Sequence, residues 1–244
     1  MHLLPSIFNT SAVIAAQSTR DGGVSPAPFN SLNLGLSVND LPENVMKNRA
    51  LFFNSLGIEL NQLSISKQVH GAAILHAGKP QITEGYDAQI SNTKGLFLVV
   101  SVADCTPILI HDEKENAVAA IHAGWRGTVS NIVGNTLAKM KATFGTEGKN
   151  CKAFIGACID YEQFEVGEEV AAHFDSAFKR FDAGKQKYFV NLKAANREQL
   201  LRFGVPPENI EISNYCTAAN NDLFFSHRKE KGNTGRMMAV IGLK

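Results

Sequence analysis

Hydrophobic residues in this chain cluster in short runs that are separated by polar and glycine-containing segments. The clearest run covers residues 95–102 and contains the uninterrupted apolar stretch LFLVV at residues 96–100. A continuous apolar, β-branched run of this kind predicts a strand buried on both faces of its sheet. Similar but weaker runs predict further strands at residues 62–69, 117–121, 153–155 and 237–243, with residues 107–110 as a hairpin partner.

Helical patterns with capping residues lie between these runs. Residues 41–56 place apolar side chains on one side, with Asp40 as the N-cap, a proline in the first turn and Gly57 at the C-terminal end. Three more helices are predicted at residues 129–144 with Thr128 as the cap, at residues 167–178, and at residues 192–203 with Asn191 as the cap.

Strands and helices alternate without a strict βαβ rhythm, which favours a mixed sheet over a purely parallel one. The chain has 244 residues, of which 44% are hydrophobic and 19% are charged, so a sizeable folded core is expected. No internal repeat, low-complexity tract or linker divides it. We therefore predict an α/β (α+β) fold, with layered mixed β-sheets flanked by helices in a single domain spanning residues 1–244.

The charge balance and the cysteines limit the partners and the location. With 24 basic and 23 acidic residues, the formal net charge of +1 gives no long-range attraction to nucleic acid or to an anionic membrane. Binding of an anion then depends on a few local arginines. Four cysteines without CxxC spacing favour a reducing compartment. Because no signal-peptide pattern or membrane-length apolar run occurs, we expect a cytoplasmic protein.

Candidate chemistry is concentrated in three short motifs that follow apolar runs. They are QVHG at residues 68–71, ADC at residues 103–105 and HAGWRG at residues 122–127. The candidate ligands are His70, Cys105 and His122. Two imidazoles and one thiolate suit zinc, and three protein ligands leave a fourth position open, as in catalytic rather than structural zinc sites. From the residues alone a core role for each ligand stays open, because a pattern cannot show that distant positions converge.

Taken together, the motifs resemble the YfiH-like family, also known as the laccase-domain or multicopper polyphenol oxidoreductase family and as purine nucleoside phosphorylases. The resemblance covers nearly the whole chain. Besides the three motifs, the similar segments are residues 20–25, 31–35, 48–49, 165–167, 224–228 and 234–237. Two departures are Ala157, where the family usually has proline, and His227, where it usually has tyrosine.

The resemblance implies a zinc site made by His70, Cys105 and His122. It also implies phosphorolysis of purine nucleosides such as adenosine and inosine, with phosphate as co-substrate and with free base and ribose 1-phosphate as products. Related members are reported to cleave methylthioadenosine and to deaminate adenosine. The expected partners are therefore a small nucleoside and phosphate, and the oligomeric state stays undecided.

Residues near the motifs are the candidates for the other roles. Arg126 lies on the turn that opens a helix, where its guanidinium and nearby amides can grip phosphate. Asp104, next to a ligand, is expected either to shuttle protons or to orient a ligand histidine. Gln68, Arg49 and Arg228 are expected to bind substrate, and Arg20 and Arg236 are weaker phosphate candidates.

Three other functions stay open. One is a cytoplasmic amidase that edits peptidoglycan precursors, because an open zinc also serves amide hydrolysis. Another is a copper polyphenol oxidase, which we disfavour because the chain has only seven histidines and a multicopper cluster needs many. The last is a non-catalytic binding module in which the metal is structural.

Overall fold

Three β-sheets and five α-helices make up the protein, and the computed structural model describes residues 1–244. The helices are α1 (Pro42–Ser55), α2 (Trp125–Val129), α3 (Ile132–Phe144), α4 (Glu168–Ala171) and α5 (Leu192–Phe203). The strands are β1 (His2–Leu3), β2 (Val13–Ser18), β3 (Leu63–Lys67), β4 (Ile74–His76), β5 (Gln81–Glu84), β6 (Ala88–Ser91), β7 (Phe97–Val102), β8 (Thr106–Asp112), β9 (Ala117–Ala123), β10 (Cys151–Ile155), β11 (Glu165–Val166), β12 (Lys179–Asp182), β13 (Lys187–Val190), β14 (Ile210–Ile212) and β15 (Met237–Leu243). None of the helices has both the length and the apolar surface that crossing a lipid bilayer requires.

Both large sheets have six strands and mix parallel with antiparallel pairing. The first has the order β1-β2-β15-β7-β3-β5, and the second has the order β14-β10-β8-β9-β6-β4. In the first sheet β15 runs antiparallel to β2 and β7, whereas β3 runs parallel to β5 and β7. The third sheet, β11-β13-β12, has three strands. The predicted mixed sheets are therefore confirmed.

The two large sheets pack face to face, and their interface forms the middle of the core. Leu98 and Val100 of β7 point into this interface and share a buried cluster with Leu109 of β8. Because side chains alternate along a strand, Phe97 and Val99 point the other way, toward the cluster that contains α1. Strand β7 is thus buried on both faces, as its apolar run predicted.

A helical layer covers the outer face of each large sheet. Phe52 and Phe53 of α1 belong to the buried cluster on the outer face of the first sheet. On the second sheet, Leu137 of α3 and Leu200 of α5 pack in one cluster with Ile110 of β8. The layers run helix, sheet, sheet, helix. This arrangement confirms the predicted fold class of layered mixed sheets flanked by helices.

Most predicted strands are confirmed with small shifts of their ends. The prediction at residues 237–243 coincides with β15, and the prediction at residues 107–110 lengthens to β8, which pairs with β9 as an antiparallel hairpin. The prediction at residues 62–69 shortens to β3. The sequence predicts no counterpart for the third sheet or for six strands of the two large sheets, which are β1, β2, β4, β5, β6 and β14.

The N-cap predicted for α1 is wrong. No side chain caps this helix. The Asp40 carboxylate instead accepts hydrogen bonds from Ser25 Oγ at 2.6 Å and from Asn33 Nδ2 at 2.8 Å. Asp40 therefore holds the loop that precedes the helix, and this long-range contact outcompetes the local capping bond.

The helix predicted at residues 129–144 is in fact two helices, and Thr128 lies inside α2 instead of capping the longer one. Asn131 adopts a left-handed backbone with φ of 57° between α2 and α3. The Thr128 hydroxyl donates to Asn196 Oδ1 of α5 at 3.3 Å. A contact between helices thus occupies the side chain that the local pattern assigned to a cap.

The helix predicted at residues 167–178 is also wrong, because only the short α4 forms there. Asp175 accepts a hydrogen bond from Ala177 N and starts a separate 3-10 turn before β12. The cap predicted for α5 is confirmed, since Asn191 Oδ1 accepts from Ala194 N at 2.9 Å.

Strand β8 carries a buried histidine, His111, whose two ring nitrogens have no hydrogen-bond partner. His111 is 1% exposed, and its cross-strand neighbours are Val118 of β9 and Lys152 of β10. Burial lowers the pKa of His111 below its usual 6.5, the Glu113 and Asp112 carboxylates raise it in part, and Lys152 lowers it. The imidazole is therefore neutral in the folded protein near neutral pH.

This buried imidazole should make the stability of the protein sensitive to acid. The unfolded chain takes up a proton at His111 near pH 6.5, before the folded chain does, so stability is lost as the pH falls through that value. We expect His111→Leu to reduce the fall in Tm between neutral and mildly acidic pH, by about 2–4 °C for each kcal/mol of proton-linked stability involved. Thermal unfolding of both proteins at both pH values checks this. The other titrating groups are shared, so equal pH slopes would contradict it.

Candidate metal centre

The chain crosses from the first large sheet to the second in the turn between β7 and β8, and this crossing brings the three motifs together. His70 follows β3 of the first sheet, Cys105 lies in the turn itself, and His122 belongs to β9 of the second sheet. His122 thus lies within its strand, whereas the sequence had suggested a position just after it. By alternation it shares the face of Ala120, which points between the two sheets.

The three predicted ligands converge in space. One donor atom from each of His70, Cys105 and His122 lies within 4.8 Å of the other two. The two imidazole rings meet edge to face, with their centroids 4.9 Å apart and an interplanar angle of 82°. His122 is buried, Cys105 is half-buried and His70 is exposed, so the cluster opens to solvent on the His70 side. The chain contains no second group of this kind.

Gly124 leaves the space that the three ligand side chains occupy. A Cβ atom at this position would lie 3.1 Å from Cys105 Sγ, 3.3 Å from His70 Cδ2 and 3.9 Å from His122 Cε1. The first two distances are tighter than ordinary van der Waals contact. A side chain at position 124 would therefore press on the donor cluster, which explains the first glycine of the HAGWRG motif.

A buried carboxylate, Asp87, holds both histidine ligands in place. Its Oδ1 accepts from His122 Nδ1 at 2.8 Å and from the backbone N–H of His70 at 2.9 Å. Its Oδ2 accepts from the backbone N–H groups of Val69 at 3.1 Å and Gly71 at 2.8 Å. Asp87 is fully buried. The bond to Nδ1 leaves Nε2 of His122 to face the cluster, which is the usual arrangement of a metal-ligating histidine.

The cluster separates charge between the thiol and the imidazole. Burial alone would raise the pKa of the Cys105 thiol, but His122 and His70 outweigh it and lower that pKa to about 6. Burial alone would lower the pKa of His122, but the Cys105 thiolate and Asp87 outweigh it and raise that pKa to about 9. Without a bound cation, the centre therefore holds a thiolate beside an imidazolium near neutral pH.

Two residues at the centre have a left-handed backbone that non-glycine residues seldom adopt. His70 has φ of 58° and Asp104, next to the Cys105 ligand, has φ of 79°. Each such residue costs about 1–3 kcal/mol and persists where surrounding contacts determine it. The Asp87 hydrogen bonds hold the first, and the bonds made by the Asp104 side chain hold the second.

Asp104 lies beside the centre, but neither of its side-chain hydrogen bonds goes to a histidine. Its Oδ1 accepts from Thr217 Oγ1 and its Oδ2 accepts from the backbone N–H of Arg228, both at 2.6 Å. The carboxylate thereby draws two C-terminal segments against the Cys105 turn. Orienting a ligand histidine is done by Asp87, which sequence reasoning missed, and proton transfer by Asp104 stays a prediction.

Gln68 and Arg228, both predicted to bind substrate, make backbone contacts. Gln68 Nε2 donates to Ser101 O at 2.8 Å, and its Oε1 accepts from Ser101 N at 2.7 Å, so the amide fastens the QVHG motif to β7. Arg228 is exposed, and its Nη1 donates to the carbonyl oxygen of Glu165 at 2.9 Å. Substrate binding by either side chain stays a prediction.

Arg126 is exposed and lies on the first turn of α2. Its guanidinium carbon is 4.3 Å from the centroid of the Trp125 ring, and it forms no ion pair with a carboxylate. The Trp125 ring also stacks with His173 at a centroid distance of 6.0 Å. This placement makes a cation–π contact the main local role of Arg126, and its predicted grip on phosphate stays a prediction.

The remaining candidate arginines differ in what they contact. Arg20 makes structural contacts: it pairs with Glu230, donates to two backbone carbonyls and lies over the Phe225 ring. Arg49 is buried, with Nε donating to Leu34 O at 2.9 Å. Arg236 directly precedes Met237, which pairs with Val102 at the end of β7, so its backbone lies next to the turn that carries Cys105.

The donor set fits a divalent cation of borderline softness. Two imidazole nitrogens and one thiolate sulfur match zinc. A tetrahedral ion with three protein ligands keeps its fourth position for water or substrate. The low pKa of Cys105 supplies the thiolate without a large proton cost. The glycine cradle at position 124 keeps side chains out of the cluster. These features of the chain fit a mononuclear metal site.

A protein-family model described as multi-copper polyphenol oxidoreductase laccase matches residues 14–244. Among curated proteins, a purine nucleoside phosphorylase of Bacteroides thetaiotaomicron is 38% identical, and the alignment covers 92% of this chain and 89% of the relative. The purine nucleoside phosphorylase YfiH of Escherichia coli is 35% identical, with 99% of this chain and 98% of the relative covered.

Solved structures give the same match in three dimensions. The crystal structure of YlmD from Geobacillus stearothermophilus superposes with a TM-score of 0.92 at 32% identity, covering 98% of this chain and 94% of that chain. A Neisseria meningitidis protein superposes with a TM-score of 0.87 at 32% identity, covering 100% of this chain and 99% of that chain. The layered fold described above is thus shared with these structures.

Proposed function

Because this chain belongs to the laccase-domain family of multi-copper polyphenol oxidoreductases, several of whose members are named purine nucleoside phosphorylases, we propose that it is a zinc-dependent purine nucleoside phosphorylase. The proposed substrates are adenosine, inosine and methylthioadenosine, with phosphate as co-substrate. The products are the free base and the sugar 1-phosphate, which is ribose 1-phosphate for adenosine and inosine. Adenosine deamination is proposed as a second activity of the same centre.

One observation carries the proposal: His70, Cys105 and His122 converge into a donor cluster that opens to solvent on one side. A structural zinc site is usually closed by four protein ligands, whereas a catalytic site keeps one position for a reactant. Asp87 fixes the two histidines from behind and so preserves the open side.

When bound there, zinc would supply Lewis acidity for an oxygen or nitrogen of the substrate. The residues of the chain would do the rest. In phosphorolysis a phosphate oxygen bonds to the anomeric carbon while the bond from that carbon to the purine nitrogen breaks. The bonding electron pair leaves with the purine, which takes up a proton. The proton comes from the protonated phosphate as its oxygen bonds to the anomeric carbon, and we assign its transfer to Asp104, which is 8% exposed and is hydrogen-bonded to the Thr217 hydroxyl.

Other functions are less well supported by the residues. A multicopper oxidase needs several histidine-rich sites, and this chain has one cluster with two histidines. An amidase acting on peptidoglycan precursors would use the same open zinc, so it is separated from the phosphorylase by its substrate and by its independence of phosphate. A binding module with a structural metal would not need an open coordination position.

We expect the zinc-loaded protein to release hypoxanthine from inosine only when inorganic phosphate is present, with ribose 1-phosphate formed in equal amount. Chromatography of the products with and without phosphate checks this. Release of free ribose without phosphate, or no release from any purine nucleoside, would contradict the proposed phosphorylase.

The alternatives have their own products in the same panel. Ammonia from adenosine without phosphate supports the deaminase activity. Cleavage of a muramyl-serine precursor supports the amidase, and oxygen-dependent oxidation of phenols by a copper-loaded sample supports the oxidase. A protein without activity in any of these assays supports the binding module.

A further inference from the structure

Two arginines, Arg49 and Arg236, are buried or half-buried without forming an ion pair with any carboxylate. Arg49 is 8% exposed and Arg236 is half-buried. The arginines that do form ion pairs are Arg20, Arg180 and Arg202. A guanidinium taken out of water is normally paired with an acid, because removing a charge from water is costly. Because neither guanidinium has a carboxylate within ion-pair distance, an anion can complete the site.

Arg49 and Arg236 contact the same short segment, residues 33–35, Arg49 through its guanidinium and Arg236 through its backbone and side-chain stem. Arg49 Nε donates to the carbonyl oxygen of Leu34 at 2.9 Å. The backbone of Arg236 donates to Asn33 Oδ1 at 2.9 Å and accepts from Leu34 N at 2.9 Å. A Cβ atom on Gly35 would lie 2.6 Å from Arg236 Cγ, so this glycine makes room for the arginine stem. The segment thus positions both side chains before any ligand arrives.

The anchoring contacts leave donors unused. In Arg49 only Nε makes a hydrogen bond, so its two terminal nitrogens are free of protein partners. In Arg236 only Nη1 does so, to the carbonyl oxygens of Thr234 and Gly235 at 3.0 Å each. A guanidinium has five N–H donors in a planar fork that matches the oxygens of a phosphate. The unused donors are therefore suited to a tetrahedral oxyanion.

The position of Arg236 connects this pair to the metal centre. Met237, the next residue along the chain, pairs with Val102 at the end of β7, directly before the ADC motif that carries Cys105. Burial lowers the pKa of Arg236, and the charges of Cys105 and Asp104 raise it in part. Burial likewise lowers the pKa of Arg49. An anion held by Arg236 would thus lie beside the turn that carries Cys105.

We propose that Arg49 and Arg236 form the receptor for the phosphate co-substrate, next to the His70, Cys105 and His122 centre. The identification of the anion as phosphate rests on the proposed phosphorylase function. The assignment replaces Arg126 as the main phosphate ligand, because Arg126 is exposed and lies over the Trp125 ring.

Kinetics with conservative variants test the receptor. Lysine keeps the charge but loses the planar fork, so Arg49→Lys and Arg236→Lys should each raise the KM for inorganic phosphate by about 10- to 100-fold, the loss expected for charge-assisted hydrogen bonds. The KM for inosine should change by less than about 3-fold. Arg202→Lys is the matched control, since Arg202 is an exposed arginine paired with Glu198 on α5. It should leave both constants unchanged.

A binding measurement without turnover separates this proposal from the proposed function. Inorganic phosphate should raise the Tm of the wild type and of Arg202→Lys relative to chloride at equal ionic strength, and should raise that of either receptor variant much less at the same phosphate concentration. If the wild type fails to cleave inosine but shows these Tm shifts, the phosphate receptor is supported and the phosphorylase function is contradicted. If Arg49→Lys does not fold, the phosphate KM and the Tm shift of Arg236→Lys alone test the receptor. A normal phosphate KM and Tm shift in the receptor variants, with a raised phosphate KM in Arg126→Lys, would overturn the receptor.

Discussion

Replacing Cys105 with alanine is expected to remove both the bound metal and the turnover while leaving a folded protein. Cys105 supplies the only sulfur of the donor cluster, and its thiolate is already favoured by His122 and His70. Loss of a residue behind the ligands typically costs about 10- to 100-fold in metal affinity, so loss of a ligand should cost at least that much. Elemental analysis of the dialysed protein, together with the nucleoside assay, measures both effects.

The control for this variant is another cysteine that lies away from the centre. Cys151 is buried in the cluster beneath α3 and α5, and burial raises the pKa of its thiol to about 12. Cys151→Ala removes a thiol from the core without touching the ligands, so it should keep its metal and its activity. Full turnover by metal-free Cys105→Ala would exclude the metal-dependent mechanism.

Replacing Asp87 with asparagine is expected to weaken metal binding by about 10- to 100-fold and to lower the free energy of unfolding by about 1–3 kcal/mol. Each oxygen of Asp87 accepts two hydrogen bonds, one pair from His122 and His70 and the other from Val69 and Gly71. An amide offers one oxygen, so one of the two pairs must face an NH2 group instead. Loss of the first pair removes a hydrogen bond from both histidine ligands, and loss of the second removes the bonds on either side of His70.

A buried aspartate on β8 provides the matched control for Asp87→Asn. Asp112 is fully buried, and its Oδ1 accepts from the backbone N–H groups of Lys114 and Glu115, whereas its Oδ2 has no partner. Asp112→Asn can keep every one of these bonds, so its zinc affinity should equal that of the wild type. Competition with a chromophoric chelator gives both affinities. Equal zinc affinity of Asp87→Asn and the wild type would show that Asp87 does not position the ligands.

An element can be predicted from the sequence when residues close to one another in the chain determine it. Strands β7 and β15 are continuous apolar runs in the middle of a sheet, and their sequences specify burial on both faces. Strand β12 (KRFD) is mostly charged and belongs to a small sheet at the surface, so no alternation marks it. The boundary between α2 and α3 lies at the left-handed Asn131, and the nearby Thr128 bonds to Asn196, which is distant in sequence.

The same distinction holds for the candidate site. His70, Cys105 and His122 were identified because each lies in a recognisable motif, and the crossing from β7 to β8 explains why the motifs meet. Asp87 lies in no such motif, directly before β6, where an aspartate is usually a turn residue. Its role follows from four hydrogen bonds to residues that are distant in sequence. Arg236 was judged weaker than Arg126 because the sequence shows neither burial nor the absence of acidic partners.

X-ray absorption at the zinc edge of the holoprotein tests the central claim most directly, because it counts the ligand atoms around the metal. The account predicts one sulfur at about 2.3 Å and two imidazole nitrogens at about 2.0–2.1 Å, with a lighter fourth scatterer from solvent. The sulfur should be missing from any metal that remains in Cys105→Ala. A zinc shell without sulfur in the wild type, or a shell closed by four protein ligands, would contradict an open centre built from His70, Cys105 and His122.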